Sequence, residues 1–129
     1  MASPQLQNIV DMIKARPVRG DAPIEDVRAN FERLATVFPI ADDVKREKAD
    51  ANGVPGEWIT PPGVSGDITI YYLHGGGSRI GSVHTHAGMV PQIAAACDGR
   101  AFAVDYRLAP EDPFPAGLDD TVAGYRWLL

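Results

Sequence analysis

Ile68-Thr69-Ile70-Tyr71-Tyr72-Leu73-His74-Gly75-Gly76-Gly77 is the stretch whose reading decides the fold. Ile68, Ile70 and Tyr72 alternate with their neighbours, and the run ends almost continuously apolar. That pattern predicts a strand over 67–73. Three glycines follow at once, and sequence compatible with a helix comes after them. Glycines at that junction let the backbone turn sharply and aim bare N–H groups at one spot. Three readings fit such a loop. It can hold an oxygen that becomes negative during acyl transfer. It can hold a phosphate at the start of the next helix. It can be a plain tight turn. No Lys-Ser/Thr pair follows to complete a phosphate loop, and the glycine spacing does not fit the dinucleotide fingerprint.

On the C-terminal side, residues 82–98 read as a helix interrupted by Pro91, which costs about 3 kcal/mol in a helix interior. Pro91 therefore either kinks that helix or begins a fresh segment. Residues 100–106 form a second strand of buried type, carried by Ala101, Phe102, Ala103 and Val104. A proline-rich loop follows at 109–115, and Leu118, Val122, Tyr125 and Leu129 mark a last helix. Upstream, 44–60 is extended, with Asn52-Gly53 as a hairpin turn. Residues 4–38 read as two amphipathic helices. Leu6, Ile9, Val10 and Ile13 mark the first, which Pro17 and Gly20 end. Ile24, Val27, Phe31 and Leu34 mark the second, which Asp21 before Pro23 begins and Pro39 stops. Both apolar faces are expected to bury against the rest of the chain. A strand–helix–strand order with buried strands implies a parallel crossover and an α/β sheet.

The 129 residues fit one domain or part of a larger one, at 45% hydrophobic and 22% charged. A net charge of −5 argues against nucleic acid or an anionic membrane as partner. Lys45, Arg46 and Lys48 alternate with Asp42, Asp43, Glu47 and Asp50, as on a solvated charged edge. The single cysteine, Cys97, has no internal disulfide partner, which favours a cytoplasmic location; its alanine-rich setting predicts a small core residue. The N-terminus lacks the basic and apolar regions of a signal peptide, and no run is long enough to span a membrane.

His74-Gly75-Gly76-Gly77, with Ile80-Gly81-Ser82 and then Val104-Asp105-Tyr106-Arg107-Leu108-Ala109-Pro110-Glu111 and Pro113-Phe114-Pro115-Ala116, resembles the hormone-sensitive-lipase-like esterases. These are the bacterial family IV carboxylesterases of the α/β-hydrolase fold. The resemblance is strong over 68–129 and looser over 1–60. It implies the N-terminal part of an α/β-hydrolase sheet, about four strands, with two N-terminal cap helices. Residues 1–43 would be the cap helices and 44–129 an incomplete core. Gly76 and Gly77 would donate backbone N–H groups to the oxyanion, and the residue after the nucleophilic serine would be the third donor. Gly75 would permit the turn, and His74 would brace the loop. Asp105 would not be the triad acid; Asp105 to Pro115 would pack beneath the loop, with Arg107 its most fixed polar contact. The substrate class implied is a small-molecule ester, with no cofactor, no metal and room for a homo-oligomer.

The chain departs from the family pattern at Ser78 and Arg79, where a bulky residue is common, and at Asp112, where histidine is frequent. The family's Gly-Asp-Ser-Ala-Gly elbow, its acid and its histidine lie further on than Leu129. Ser78 is a poor substitute nucleophile: Ile80 stands where G-x-S-x-G needs its last glycine. His84 and His86 lack a third ligand at recognisable spacing, so they read as a polar helix start and not a metal pair. In the family's sheet order, the strand before the glycines lies between the strand at 100–106 and the nucleophile strand. Residues 68–73 are then expected to have one unpaired side, and the chain alone to be poorly soluble or partly molten. The resemblance thus implies an esterase segment inactive by itself. The rival reading is a truncated hydrolase-like domain serving as a non-catalytic ligand-binding or interaction module.

Overall fold

Ala101, Phe102, Ala103 and Val104 are all fully buried, so the strand that carries them must be covered on both faces. In the computed structural model, which describes residues 3–15, 22–36 and 39–129, that strand is the centre of a three-layer arrangement. The elements in chain order are α1 (Pro4–Ala15), α2 (Ile24–Glu32) with a 3₁₀ turn at Arg33–Thr36, β1 (Lys45–Asp50) and β2 (Pro55–Thr60). Then come β3 (Ile68–Leu73), α3 (Val90–Ala96), β4 (Gly99–Val104) and α4 (Ala116–Leu128). The sheet order is β1-β2-β4-β3. The pairs β1/β2 and β2/β4 are antiparallel, and β3/β4 is parallel, with Ile70 opposite Ala101 and Tyr72 opposite Ala103. The four-stranded sheet and the parallel crossover through α3 are the architecture read from the sequence.

Alternation divides the core in two. Ala101, Ala103, Ile59, Ile70 and Tyr72 meet Val90 and Ala94 of α3 on one face. Phe102, Val104, Trp58 and Tyr71 meet Ala123 and Leu128 of α4 on the other. Trp58 and Trp127 each lie 5.1 Å from Phe102, ring centre to ring centre. The hairpin between β1 and β2 turns at Asn52 (φ 58°) and Gly53 (φ 87°), the pair of positive φ values that a two-residue hairpin loop requires.

Several sequence expectations need correction. The helix over 82–98 is shorter: 83–89 is a series of turns, and α3 begins at Val90. At the start of these turns Ser82 and Thr85 bond reciprocally, each hydroxyl accepting the other's backbone N–H (3.1 and 3.0 Å). Pro91 begins the fresh segment, at a position where no intrahelical N–H is lost. Cys97 is not a core residue: it is exposed at the end of α3.

In α4 the sequence stripe points away from the sheet. Leu118, Val122, Tyr125 and Leu129 are 39–87% exposed, whereas Asp120 and Gly124 are buried. Small residues win the packing face because they admit close approach. A Cβ on Gly124 would crowd the Tyr71 hydroxyl, which donates to the Thr121 carbonyl at 2.8 Å. Nor does α1 bury its stripe: Leu6, Ile9 and Ile13 are 49–67% exposed, and Val10 is only partly buried. The second helix ends at Glu32, well before Pro39, and continues as the 3₁₀ turn. Pro17, Gly20, Asp21 and the Leu34 side chain lie outside the described residues. Among the described residues, no helix is long and apolar enough to cross a membrane.

Candidate active site

The glycine loop leaves the C-terminal end of β3, beside the C-terminal end of its parallel neighbour β4. Ligands of α/β sheets gather at that end, where loops rather than side chains of the core face solvent. The backbone takes positive φ at Gly76 (136°), Gly77 (62°), Ser78 (56°) and Gly81 (91°). Gly75 is not among them, and a Cβ there would meet only His86 Nε2 at an ordinary 3.6 Å. Gly76 is different. A Cβ built on it would overlap the Ile80 carbonyl oxygen, because the Gly76 carbonyl accepts the N–H groups of Arg79 (3.3 Å) and Ile80 (3.2 Å) and closes the turn. Gly81 returns the chain so closely that a Cβ would overlap the Gly75 carbonyl oxygen. Among the described residues, no acceptor engages the Gly76 or Gly77 N–H. Two adjacent unengaged donors on a strained turn form the kind of concavity that holds an anionic oxygen.

His74 lies directly beneath the turn. Its side chain is only 1% exposed. Nδ1 donates to the Gly75 carbonyl at 3.1 Å, since a carbonyl can only accept. The imidazole stacks on Tyr106, with ring centres 4.3 Å apart and planes 8° from parallel. Tyr106 in turn donates its hydroxyl to the His74 carbonyl at 2.6 Å. Burial lowers the His74 pKa from its ordinary value, against the hydrogen bond to Gly75 and the Asp105 charge. A neutral imidazole leaves Nε2 as a bare acceptor, and this atom has no hydrogen-bond partner among the described residues. Asp105 Oδ1 is 3.9 Å from it and accepts the Val83 N–H at 3.1 Å. Asp105 thus ties the end of β4 to the segment after the glycines.

Helix α2 supplies residues that the sequence pattern did not single out. Arg28 donates from Nε to the Arg79 carbonyl (2.8 Å) and from one terminal nitrogen to the Ala109 carbonyl (2.9 Å). Both terminal nitrogens also reach the Glu111 carboxylate, each at 2.8 Å. This pairing raises the Arg28 pKa and lowers that of Glu111. One turn on, Glu32 accepts the Ser82 hydroxyl at 2.7 Å, and Phe31 lies 6.3 Å from the His86 ring. Arg28 and Glu32 are four apart and share the face that carries Ile24, Phe31 and Val27, so their spacing was the available signal.

The proline loop completes the surround. Ala109 N–H donates to the Ser78 carbonyl at 2.8 Å. Arg107 is held by Asp120 through Nε (2.9 and 3.1 Å) and a terminal nitrogen (2.7 Å), and Asp120 also accepts the Arg107 N–H at 2.9 Å. Arg107 keeps the Asp120 carboxyl below its ordinary pKa. Ser78, Leu73, Tyr106, Phe114 and Leu118 line a cleft of about 430 Å³ beside the loop. Ser78 itself is exposed and has no imidazole as hydrogen-bond partner among the described residues, while His84 is exposed and His86 meets Thr85 Oγ1 through Nδ1 at 2.9 Å.

Residues 70–129 match the family model described as alpha/beta hydrolase fold. An acetyl-hydrolase of Streptomyces hygroscopicus is 31% identical over 129 residues, which are 100% of this chain and 43% of the relative. The carboxylesterase NlhH of Mycobacterium tuberculosis is 30% identical over 131 residues, covering 97% of this chain and 41% of the relative. Among solved structures, an esterase from the bacterial hormone-sensitive lipase family is 45% identical with a TM-score of 0.89. That alignment covers 99% of this chain and 43% of the other. The chain therefore spans less than half the length of these relatives.

Proposed function

Because the chain belongs to the hormone-sensitive-lipase-like esterases of the α/β-hydrolase fold and corresponds to their N-terminal portion, we propose that it supplies the oxyanion-binding part of a serine carboxylesterase. Gly76 and Gly77 donate the two backbone N–H groups, and His74 with Gly75 supports the loop. The observation that carries this reading is the pair of unengaged donors on a turn closed behind them by the Gly76 carbonyl. In this reading an ester carbonyl sits against the loop, a serine outside residues 1–129 attacks its carbon, and the negative oxygen shortens its contacts to both N–H groups. Water then hydrolyses the acyl-enzyme. Residues 1–43 act as cap helices over the core at 44–129. The substrate is a small-molecule ester.

The test uses the full-length protein. A fluorophosphonate probe should label it covalently at a serine beyond residue 129, and labelling should abolish hydrolysis of p-nitrophenyl butyrate. Saturable binding of acyl ligands with neither labelling nor turnover would replace this reading with the non-catalytic binding module.

A further inference from the structure

Arg28 is the point where α2, the glycine loop and the proline loop meet. Its guanidinium spans the Arg79 carbonyl on one side and the Ala109 carbonyl with the Glu111 carboxylate on the other. The two loops are also joined directly there, Ala109 N–H donating to the Ser78 carbonyl. Arg79 N–H in turn closes the turn onto the Gly76 carbonyl. One residue therefore carries both contacts that matter. Arg79 gives its N–H to Gly76 and, through the same residue, its carbonyl to Arg28.

We propose that Arg28 is a positioning residue that clamps the glycine loop against the proline loop and so fixes the direction of the Gly76 and Gly77 N–H groups. This rests on the esterase reading for its kinetic consequence, but not for the clamp itself. The geometry requires arginine. Four hydrogen bonds leave three nitrogens of one plane towards acceptors on two separate loops, a span that a planar fork satisfies and a single ammonium does not. Glu111 serves the clamp from below, holding the guanidinium in the orientation that presents Nε to Arg79. The arrangement makes α2 a mechanical part of the site: a shift of the helix is delivered to the glycine turn through the Arg28 side chain.

The experiment compares Arg28→Lys and Arg28→Gln with the parent, all as full-length protein. Turnover of p-nitrophenyl butyrate should fall at least about 10-fold in both variants with KM changed less than about threefold, because the loss is of transition-state contact. Amide hydrogen exchange over 76–81 should quicken about 10-fold while 101–104 in β4 keeps its protection. Millimolar guanidinium should restore part of the turnover of Arg28→Gln and none of Arg28→Lys, whose own ammonium occupies the site. Turnover within twofold of the parent in both variants overturns the proposal, as does exchange that quickens equally in β4. If the parent hydrolyses no ester, the esterase reading falls and the exchange comparison alone decides the clamp.

Discussion

At the scale of single residues, the glycine loop sorts its members by what each position tolerates. Gly77 has open space around its Cα, so only its φ of 62° favours glycine. Gly76 combines a φ of 136° with a carbonyl oxygen where a Cβ would stand. The smallest substitution, Gly76→Ala, must therefore push residue 80 away and open the turn. In the full-length enzyme it should lower kcat by about 100-fold, the scale of one lost oxyanion donor. KM should change little, since the ground-state ester leans on the donors less than the tetrahedral species does. Steady-state kinetics checks this, with the urea midpoint as a control for folding; unchanged kcat would remove the Gly76 N–H from the oxyanion assignment. Three glycines and a histidine were conspicuous in the sequence because the motif is contiguous. Arg28 was not, because its partners lie 51 to 83 positions away and an arginine on a helix surface looks like any solvated charge.

At the scale of elements, alternation and turn chemistry were legible where local sequence decides the outcome. Strands β2, β3 and β4 and the Asn52-Gly53 hairpin belong to that class, since short apolar runs and positive φ are properties of a few neighbouring residues. The helices were legible in existence and less so in orientation. In α4 Leu118, Val122 and Tyr125 suggested one face, whereas Ala123, Gly124, Trp127 and Leu128 took the packed one. The reason is distance: Gly124 sits against Tyr71 and Val104, where a longer side chain has no room. Gly124→Leu in the full-length protein should lower the urea midpoint by the equivalent of about 1–3 kcal/mol, the usual cost of overpacking. The Tyr71 hydroxyl would lose the Thr121 carbonyl in the process. A midpoint equal to the parent's would mean that α4 meets the sheet through some other stripe. Pro91 teaches the same lesson for α3: a proline is a poor interior residue, and the fold uses it at the start of a helix.

At the scale of the whole molecule, the sheet has one outer strand that is also its most apolar edge. Strand β3 pairs with β4 on one side, and no strand among the described residues pairs with its other side. Ile68 and Leu73 at its two ends are 52% and 45% exposed. Along the neighbouring surface, Phe114 is 85% exposed, Leu118 53% and Tyr125 50%. The uncovered stripe of α4 thus flanks an unpaired strand edge. Natural sheets guard such edges with charge, proline or a bulge, and Ile68–Leu73 has none of these. Water contact along this strip costs stability twice, through apolar exposure and through backbone groups that template pairing with other chains. Residues 1–129 expressed by themselves should therefore bind 8-anilinonaphthalene-1-sulfonate and elute as aggregates in size-exclusion chromatography. The near-ultraviolet circular dichroism should be weak while the far-ultraviolet signal persists, as in a loosely packed state. A monomer with sharp, cooperative thermal unfolding would refute the prediction, because it would require the β3 edge and the α4 stripe to be tolerable in water.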